Sequence, residues 1–281
     1  MVVEGLQRQK VALRSKGVWH MEEFASRSRP ARVALCITCL GDVFFPEVGI
    51  ATVRLLRRLG LQVEFPLRQT CCGQPAFNAG FHQPARRVAQ RNLAIFAVYD
   101  YVVVPSGSCT AMFRHFYPDL FAQDPVLGEQ AESLARRTYE LSEFLVRVMG
   151  VEDFGVRFPG KIGYHPSCHL SRELGVVNEP HRLLAQVRGA ELVPLDFAEQ
   201  CCGFGGTFAV KYPHISDAML QKKIAGLKRA GADTLVSCDA GCLLHIAGRL
   251  QRLGETVRVM HLAELLTAGE AAQEGRRAPG D

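Results

Sequence analysis

The chain contains 281 residues, of which 48% are hydrophobic and 22% are charged, and its formal net charge is +5. This composition suits a folded protein with one large or two smaller cores and excludes a wholly disordered chain. The basic residues are scattered, so nucleic-acid binding is not predicted, and no apolar run is long enough for a transmembrane segment.

The first half of the chain alternates predicted strands and helices. Residues 1–30 are expected to form a poorly ordered N-terminal extension without the apolar core of a secretory signal, so a cytoplasmic protein is expected. From residue 31 the hydrophobic spacing predicts, in order, strand Arg32–Ile37, helix Pro46–Leu59, strand Leu61–Pro66, helix Gln83–Tyr99, strand Tyr101–Pro105, a further helix, and a closing helix Leu141–Met149.

The second half repeats this order. The spacing predicts strand Lys161–His165, helix Pro180–Arg188, strand Glu191–Leu195, helix Ser216–Ala230, strand Ala232–Ser237, helix Leu243–Leu253 and a closing helix Leu262–Leu266. The Gly- and Pro-containing segment Arg157–Gly160 is predicted to join the halves. The expected organisation is therefore a first cysteine-rich domain over 31–157, a second over 158–268, and a flexible tail over 269–281.

The ten cysteines show that the chain is duplicated. A single cysteine, a Cys-Cys-Gly triplet and a later cysteine occur in matching registers in both halves, offset by 129, 130 and 133 residues. These cysteines are Cys39, Cys71, Cys72 and Cys109 in the first half and Cys168, Cys201, Cys202 and Cys242 in the second. Matching registers make a role as ordinary buried hydrophobic residues improbable for these eight.

Alternating strands and helices predict an α/β protein with two tandem, duplicated Rossmann-like domains and mainly parallel sheets. The cysteines of each half follow the predicted first, second and third strands. Because the carboxyl ends of parallel strands lie along one edge of the sheet, cysteines distant in sequence are expected to converge there. Each half is therefore expected to hold one cofactor site facing the cleft between the halves.

Clustered thiols in a reducing compartment indicate metal binding or redox chemistry rather than disulfides. Thiolates select iron–sulfur clusters, zinc or Cu(I). Structural zinc usually uses close Cys-X2–4-Cys pairs, and neither half supplies two of them. Adjacent cysteines suit a larger polynuclear centre, which favours iron–sulfur, with zinc as the alternative.

The cysteine pattern and its flanking residues resemble the duplicated "CCG" domains of the lactate utilisation protein A family. The cysteine-rich subunit of heterodisulfide reductase and the iron–sulfur subunit of glycolate oxidase share this domain pair. The resemblance extends from about Ala31 to Leu266, and the segments that carry it are Thr38–Asp42, Cys71–Pro75, Ser106–Cys109, Tyr164–Cys168, Cys201–Phe208 and Gly241–Leu244.

This resemblance implies an iron–sulfur electron-transfer subunit, with [4Fe–4S] as the predicted cluster type, in a complex that oxidises L-lactate or another small 2-hydroxy acid. It implies an oxidoreductase that is active only with two partner subunits, one of which carries ferredoxin-type clusters. The eight duplicated cysteines are the implied ligands. Two other functions stay open: a heterodisulfide reductase-like thiol/disulfide redox subunit, and a zinc-stabilised assembly scaffold.

The chain departs from its relatives at several positions. The heterodisulfide reductase pattern ends in Cys-X-X-Cys, whereas here Cys109 is followed by Met112, and Cys238 and Cys242 are one residue further apart. Cys36 and Cys238 are therefore additional ligand candidates, one in each half. The glycolate oxidase subunit also has an N-terminal ferredoxin module, which this sequence lacks, so that interpretation is disfavoured.

Catalytic residues are not identified by the sequence, although three candidates stand near the cysteines. His165 and His169 flank Cys168 and are candidates for proton transfer or for hydrogen bonds to a cluster sulfur. Lys211 follows a glycine-rich loop and is a candidate for neutralising a carboxylate or an anionic cluster. Ordinary turn histidines and a solvated lysine are the alternative interpretations.

Overall fold

The computed structural model describes residues 31–269. The expected extension over 1–30 and all but the first residue of the expected tail over 269–281 lie outside the described residues. The described part consists of two lobes, each with a four-stranded sheet in which every neighbouring pair of strands is parallel. This confirms the predicted α/β class with two repeated parallel sheets.

The first lobe has the strand order β2-β1-β3-β4. Its strands are β1 (Arg32–Leu35), β2 (Gln62–Glu64), β3 (Tyr101–Val104) and β4 (Thr138–Glu140). Its helices are α1 (Cys39–Phe44), α2 (Pro46–Arg58), α3 (Gln74–Asn78), α4 (His82–Phe96), α5 (Gly107–Ala111), α6 (Tyr117–Leu120), α7 (Pro125–Arg137) and α8 (Leu141–Glu143). Single π-helical turns, Met112–Phe116 and Phe144–Val148, extend α5 and α8.

The second lobe repeats this arrangement with the order β6-β5-β7-β8. Its strands are β5 (Arg157–His165), β6 (Arg188–Val193), β7 (Thr234–Ser237) and β8 (Arg258–His261). Its helices are α9 (Asn178–Ala185), α10 (Phe208–Lys211), α11 (Pro213–Arg229), α12 (Ala240–Arg252) and α13 (Leu262–Leu266), and a π-helical turn covers His169–Glu173.

The segment Arg157–Gly160, which was predicted to join the halves, belongs to a strand of the second lobe. It forms the first part of β5, and Arg157 already pairs with Arg188 of β6. The register shifts between Arg157 and Gly160, where Gly160 has a φ of 132° that favours glycine. Gly and Pro here mark an irregularity within a strand rather than the end of a domain.

One hydrophobic core extends across both lobes. It joins residues of β1 and β3 with residues of β5 and β7, and the helices α2, α8, α9 and α13 contribute buried side chains to it. Helix α13 of the second lobe packs on α2 of the first, and α9 packs on α8. Because these contacts cross between the lobes, the shared core holds the two sheets in a defined relation.

Candidate functional site

All eight duplicated cysteines line a single cleft of about 300 Å³ between the carboxyl ends of the two sheets. The sequence predicted a site in each half facing the cleft between the halves, and in the structure both sets of cysteines line the same cleft. Cross-lobe packing produces this arrangement, since α12, which carries Cys242, packs against α1, which carries Cys39. In the same way α5, which carries Cys109, packs against the π-helical turn that follows Cys168.

This packing is tightest at Gly107 in α5. A Cβ atom added there would lie 2.6 Å from the Cβ of Leu170 and 2.9 Å from the Oγ of Ser167. Glycine is therefore required for the backbone of one lobe to approach the other beside the cysteines.

The four cysteines of the first lobe form two sulfur pairs. The Sγ atoms of Cys39 and Cys71 lie 3.8 Å apart, and those of Cys72 and Cys109 lie 3.2 Å apart. Gly73 has a φ of 87°, and its backbone N–H points at the Sγ of Cys71 at 3.4 Å. The Cys-Cys-Gly turn thus supplies two adjacent thiols together with a backbone donor for one of them.

The second lobe repeats this geometry. The Sγ atoms of Cys202 and Cys242 lie 3.4 Å apart, and Cys168 is hydrogen-bonded to Cys201. The backbone N–H of Gly203, with a φ of 91°, donates to the Sγ of Cys201 at 3.3 Å. The duplication therefore extends to the positions of the individual thiols.

Each lobe has a deep pair and an outer pair of thiols. The deep pairs are Cys72 with Cys109 and Cys202 with Cys242, and all four of these residues are buried. The outer pairs are Cys39 with Cys71 and Cys168 with Cys201, which are exposed or half-buried. The cleft consequently has a protected floor and a mouth that solvent or a partner can reach.

Hydrogen bonding distinguishes the outer thiols electrostatically. The Cys39 thiol donates to Cys71 and lowers its pKa to about 3, with further help from Cys72 and from the backbone N–H of Gly73. The Cys168 thiol lowers the pKa of Cys201 to about 2 in the same way. One thiol of each outer pair is therefore set up as a thiolate, the form that binds metal.

Buried polar side chains hold the Cys71-Cys72 turn from behind. The hydroxyl of Tyr117 donates to the carbonyl oxygen of Cys72 at 2.9 Å. The Nδ2 of Asn92 donates to the carbonyl oxygen of Cys71 at 3.0 Å and to the hydroxyl of Tyr117 at 2.9 Å. These bonds fix the direction of the turn and hence of both sulfurs.

Asp239, which sequence reasoning missed, joins the two lobes at the floor of the cleft. Its Oδ2 accepts hydrogen bonds from the Oγ of Ser106 at 3.0 Å and from the N–H of Ser108 at 2.9 Å. Its Oδ1 accepts from the N–H of Gly241 at 3.1 Å, so Asp239 also caps α12. An Asp or Ser three residues before a helix-borne cysteine is an N-cap signature that could have drawn attention to both Asp239 and Ser106.

The structure places one of the three candidate catalytic residues in the cleft lining and a second one beneath it. His169 lines the cleft, with its Nδ1 3.7 Å from the Sγ of Cys168. His165 is buried beneath the second site, and burial lowers its pKa to about 3. Lys211 is exposed at the end of α10 and is not among the residues that line the cleft.

Lys223 is a cationic side chain that interacts electrostatically with the second set of thiols. It is buried, its Nζ donates to the carbonyl oxygens of Phe197 and Ala198, and burial lowers its pKa to about 8. Lys223 was not predicted from the sequence, because a lysine in the middle of a predicted helix has no distinguishing signal.

The two additional cysteines occupy different environments. Cys36 is buried directly after β1, with Cys109 and Cys71 as electrostatic neighbours that help to raise its pKa after burial itself. Cys238 belongs to the core shared by the lobes, where the hydroxyl of Tyr164 lies 3.7 Å from its Sγ. Neither residue is among those that line the cleft.

Comparison with known proteins agrees with this duplicated geometry. The family model for the CCG cysteine-rich domain matches residues 33–114 and again residues 162–247, which together are more than half of the chain. Lactate utilization protein A of Geobacillus kaustophilus is 53% identical over 237 residues, covering 84% of this chain and 99% of that protein. The chain belongs to the lactate utilization protein A family.

Other members of the lactate utilization protein A family match to a similar degree. The protein of that name from Halalkalibacterium halodurans is 49% identical over 243 residues, covering 86% of this chain and 99% of that protein. The resemblance stated from the cysteine motifs is thereby confirmed, and the chain carries two CCG domains.

A solved structure shares the fold of this family member. A hypothetical protein from Helicobacter pylori superposes with a TM-score of 0.61 at 11% identity, and the match covers 85% of this chain but 48% of that one.

In residues 31–269 the helices are all too short or too polar to span a bilayer.

Proposed function

We propose that this chain is the iron–sulfur electron-transfer subunit of a complex that oxidises L-lactate or a related small 2-hydroxy acid. The relatives' name supplies the link to lactate, and the duplicated thiol sites supply the link to electron transfer. The observation that carries the proposal is the convergence of eight thiols, four from each lobe, on one cleft.

The residues of the cleft fit iron–sulfur clusters chemically. Each lobe offers four soft thiol donors, which are the usual ligands of such clusters. The N–H groups of Gly73 and Gly203 point at cysteine sulfurs, and hydrogen bonds of this kind tune the reduction potential. Cys39, Cys71, Cys72 and Cys109 would hold one cluster and Cys168, Cys201, Cys202 and Cys242 the other. A bound cluster supplies a one-electron acceptor and donor at each site.

The lining of the cleft supports electron transfer more than substrate binding. Among the described residues that line it, none is a lysine or an arginine, and the polar groups are mainly hydroxyls, amides and Asp239. A 2-hydroxy acid carries a carboxylate, which proteins usually bind with cationic side chains. We therefore place oxidation of the substrate on a partner subunit, from which this chain receives electrons.

The mouth of the cleft offers a route for those electrons. Cys39 is exposed, and Val210, which lines the same cleft, is 82% exposed. The rim of the cleft is therefore accessible to another protein. A ferredoxin-type iron–sulfur subunit is the partner proposed for this rim, and a third subunit would complete the complex.

A zinc-stabilised scaffold is the second candidate, because the sulfur distances are close to those of a tetrahedral zinc site. Four sulfurs around one tetrahedral zinc ion, with bonds of about 2.3 Å, are separated by about 3.8 Å. The pair Cys39–Cys71 shows this separation, and the pairs Cys72–Cys109 and Cys202–Cys242 are slightly closer. Elemental analysis separates the two candidates.

The test is to purify the chain anaerobically and measure iron, acid-labile sulfide and zinc per chain. The proposal expects a brown protein with iron and sulfide in equal amounts, bleached by dithionite. It further expects that the co-expressed complex is reduced by L-lactate. A colourless protein that contains zinc alone would refute the proposal and favour the scaffold.

Two cysteine variants provide a matched comparison. Cys201→Ser removes a thiol that lines the cleft and is expected to lower the iron content by about half, since the other lobe is intact. Cys238→Ser changes a cysteine of the core and is expected to retain the full iron content. Equal losses in the two variants would contradict the assignment of the ligands.

A further inference from the structure

Cys36 of the first lobe and His165 of the second occupy equivalent positions. Each lies three residues before the first duplicated cysteine of its lobe, Cys39 or Cys168, at the carboxyl end of the sheet's second strand in spatial order. Leu35 pairs with Val103 in the first sheet, and Tyr164 pairs with Val236 in the second, so the residues that follow Leu35 and Tyr164 correspond. The duplicated fold thus places a thiol and an imidazole at the same point.

The His165 imidazole is directed at the deep thiols of its lobe. A ring nitrogen of His165 and the Sγ atoms of Cys202 and Cys242 all lie within 4.8 Å of one another. The side chain is 1% exposed, and neither ring nitrogen makes a hydrogen bond of normal geometry with the described residues, although the Ala198 backbone lies close to the ring. A buried polar group without a hydrogen-bond partner destabilises the folded protein, so we expect this imidazole to bind a ligand.

Two other histidines near the second site, His169 and His245, already have partners. His169 has its Nδ1 beside Cys168, and its Nε2 lies 3.7 Å from Glu173. The Nε2 of His245 is 3.0 Å from the hydroxyl of Ser216, which also donates to the carbonyl of Gly203. His165 is therefore distinguished from both by its unpartnered nitrogens and its burial.

In the first lobe, Cys36 has the corresponding surroundings. It is 3% exposed and packs in a cluster that contains Cys72 and Cys109, the deep pair of that lobe. Its backbone N–H continues the sheet by donating to the carbonyl of Val103 at 2.9 Å, which holds the residue in register beneath the site.

We propose that the two sites are chemically unequal: the second takes His165 as a nitrogen ligand, where the first offers the thiol of Cys36. This inference rests on the proposed iron–sulfur function. A neutral imidazole in place of an anionic thiolate reduces the negative charge around a cluster, and histidine ligation raises the reduction potential of iron–sulfur centres. A cluster held at the second site would therefore be the better electron acceptor of the two.

The primary test needs no substitution, so it does not depend on whether a variant folds. The full chain is produced with ¹⁵N-labelled histidine, purified anaerobically, reduced with dithionite and studied by pulsed electron paramagnetic resonance. The inference expects a ¹⁵N coupling of the size of direct imidazole ligation at one of two centres. Iron-containing protein without that coupling would overturn the inference and leave the iron–sulfur function standing.

Variants then identify the histidine. His165→Cys makes the second lobe resemble the first, so the ¹⁵N coupling is lost and the potential of the second site falls. We expect at least a tenfold shift in the equilibrium constant for its reduction, which is ~59 mV for a one-electron couple. The matched controls His169→Gln and His245→Gln keep the coupling. A coupling that persists in His165→Cys refutes the assignment.

A protein without iron would refute the proposed function, and the inference would still be tested. The metal-free chain is then loaded with Co²⁺ alone, and the same ¹⁵N measurement is made on the cobalt protein. Nitrogen ligation by His165 at the second site supports the inference for a single-ion site, and its absence overturns it.

Discussion

Replacing Asp239 with alanine should destabilise the metal-free protein far more than removing an ordinary helix cap. The carboxylate accepts two hydrogen bonds from the other lobe, from Ser106 and Ser108, and one from Gly241 in its own helix. It is 4% exposed, and hydrogen bonds to a charged group contribute about 1.5–3 kcal/mol each. The N-cap adds about 1 kcal/mol. Allowing for partial solvation of the freed donors, we expect a loss of about 3–5 kcal/mol.

Urea unfolding under reducing conditions with a chelator measures this loss. The matched control is Asp124→Ala, because Asp124 caps α7 through the N–H of Leu127 and pairs with Arg86 but makes its contacts within one lobe. Its side chain is 31% exposed, so a loss of about 1 kcal/mol is expected. If Asp239→Ala and Asp124→Ala lose the same stability, the carboxylate does not tie the lobes together and the reasoning fails.

Three further predictions concern other parts of the molecule. Gly203→Ala places a Cβ 2.6 Å from the backbone oxygen of Ser216 at a φ of 91°, so the free energy of urea unfolding should fall by about 3 kcal/mol. The control Gly206→Ala, where no atom lies within 4 Å, should lose about 1 kcal/mol. Equal losses in the two variants would contradict the close approach. Tyr117→Phe leaves the carbonyl of Cys72 without its hydroxyl donor and should lower the free energy of unfolding by about 1–3 kcal/mol. The variant should also retain metal less well at the first site, which metal analysis of protein loaded only at that site checks. Full retention with unchanged stability would be evidence against the role of that bond. Glu140 is buried and its pKa is raised to about 8, so the folded protein holds a proton that the unfolded chain releases near pH 4.5. The free energy of unfolding should therefore fall by up to ~1.4 kcal/mol per pH unit as the pH rises from about 5 to 8. Glu140→Gln should remove this part of the pH dependence, and a variant with the same slope as the parent in unfolding experiments across that range would show that another group is responsible.

Local patterns predicted the elements that carry the site. The apolar run of β3 and the spacing in α2 agree with the structure to within a few residues, because buried parallel strands and amphipathic helices leave distinct periodicities. The two Cys-Cys-Gly registers likewise predicted the convergence of distant cysteines, because parallel strands end at one edge. The strand predicted over Lys161–His165 begins earlier, at Arg157, because Gly and Pro mark strand irregularities as well as linkers.

The burial and the contacts of individual residues could not be predicted from patterns in the sequence. His165 and His169 look alike beside Cys168 in the sequence, yet His165 lies buried against Cys202 and Cys242, whereas His169 lines the open cleft. The difference arises because His165 ends a central strand and His169 begins a turn. Burial at that position depends on helices from elsewhere in the chain.

The amino-acid sequence was sufficient to establish two repeated parallel sheets and the four thiols at the edge of each, because both follow from periodicity and topology within one half. That both sites face the cleft between the halves was also expected, whereas the division into deep and outer thiols arose from tertiary packing within each lobe. The bond from Asp239 to Ser106 arose only when the halves packed together. It depends on which apolar faces meet in the shared core, and a contact between residues more than a hundred positions apart leaves no local periodicity in the chain.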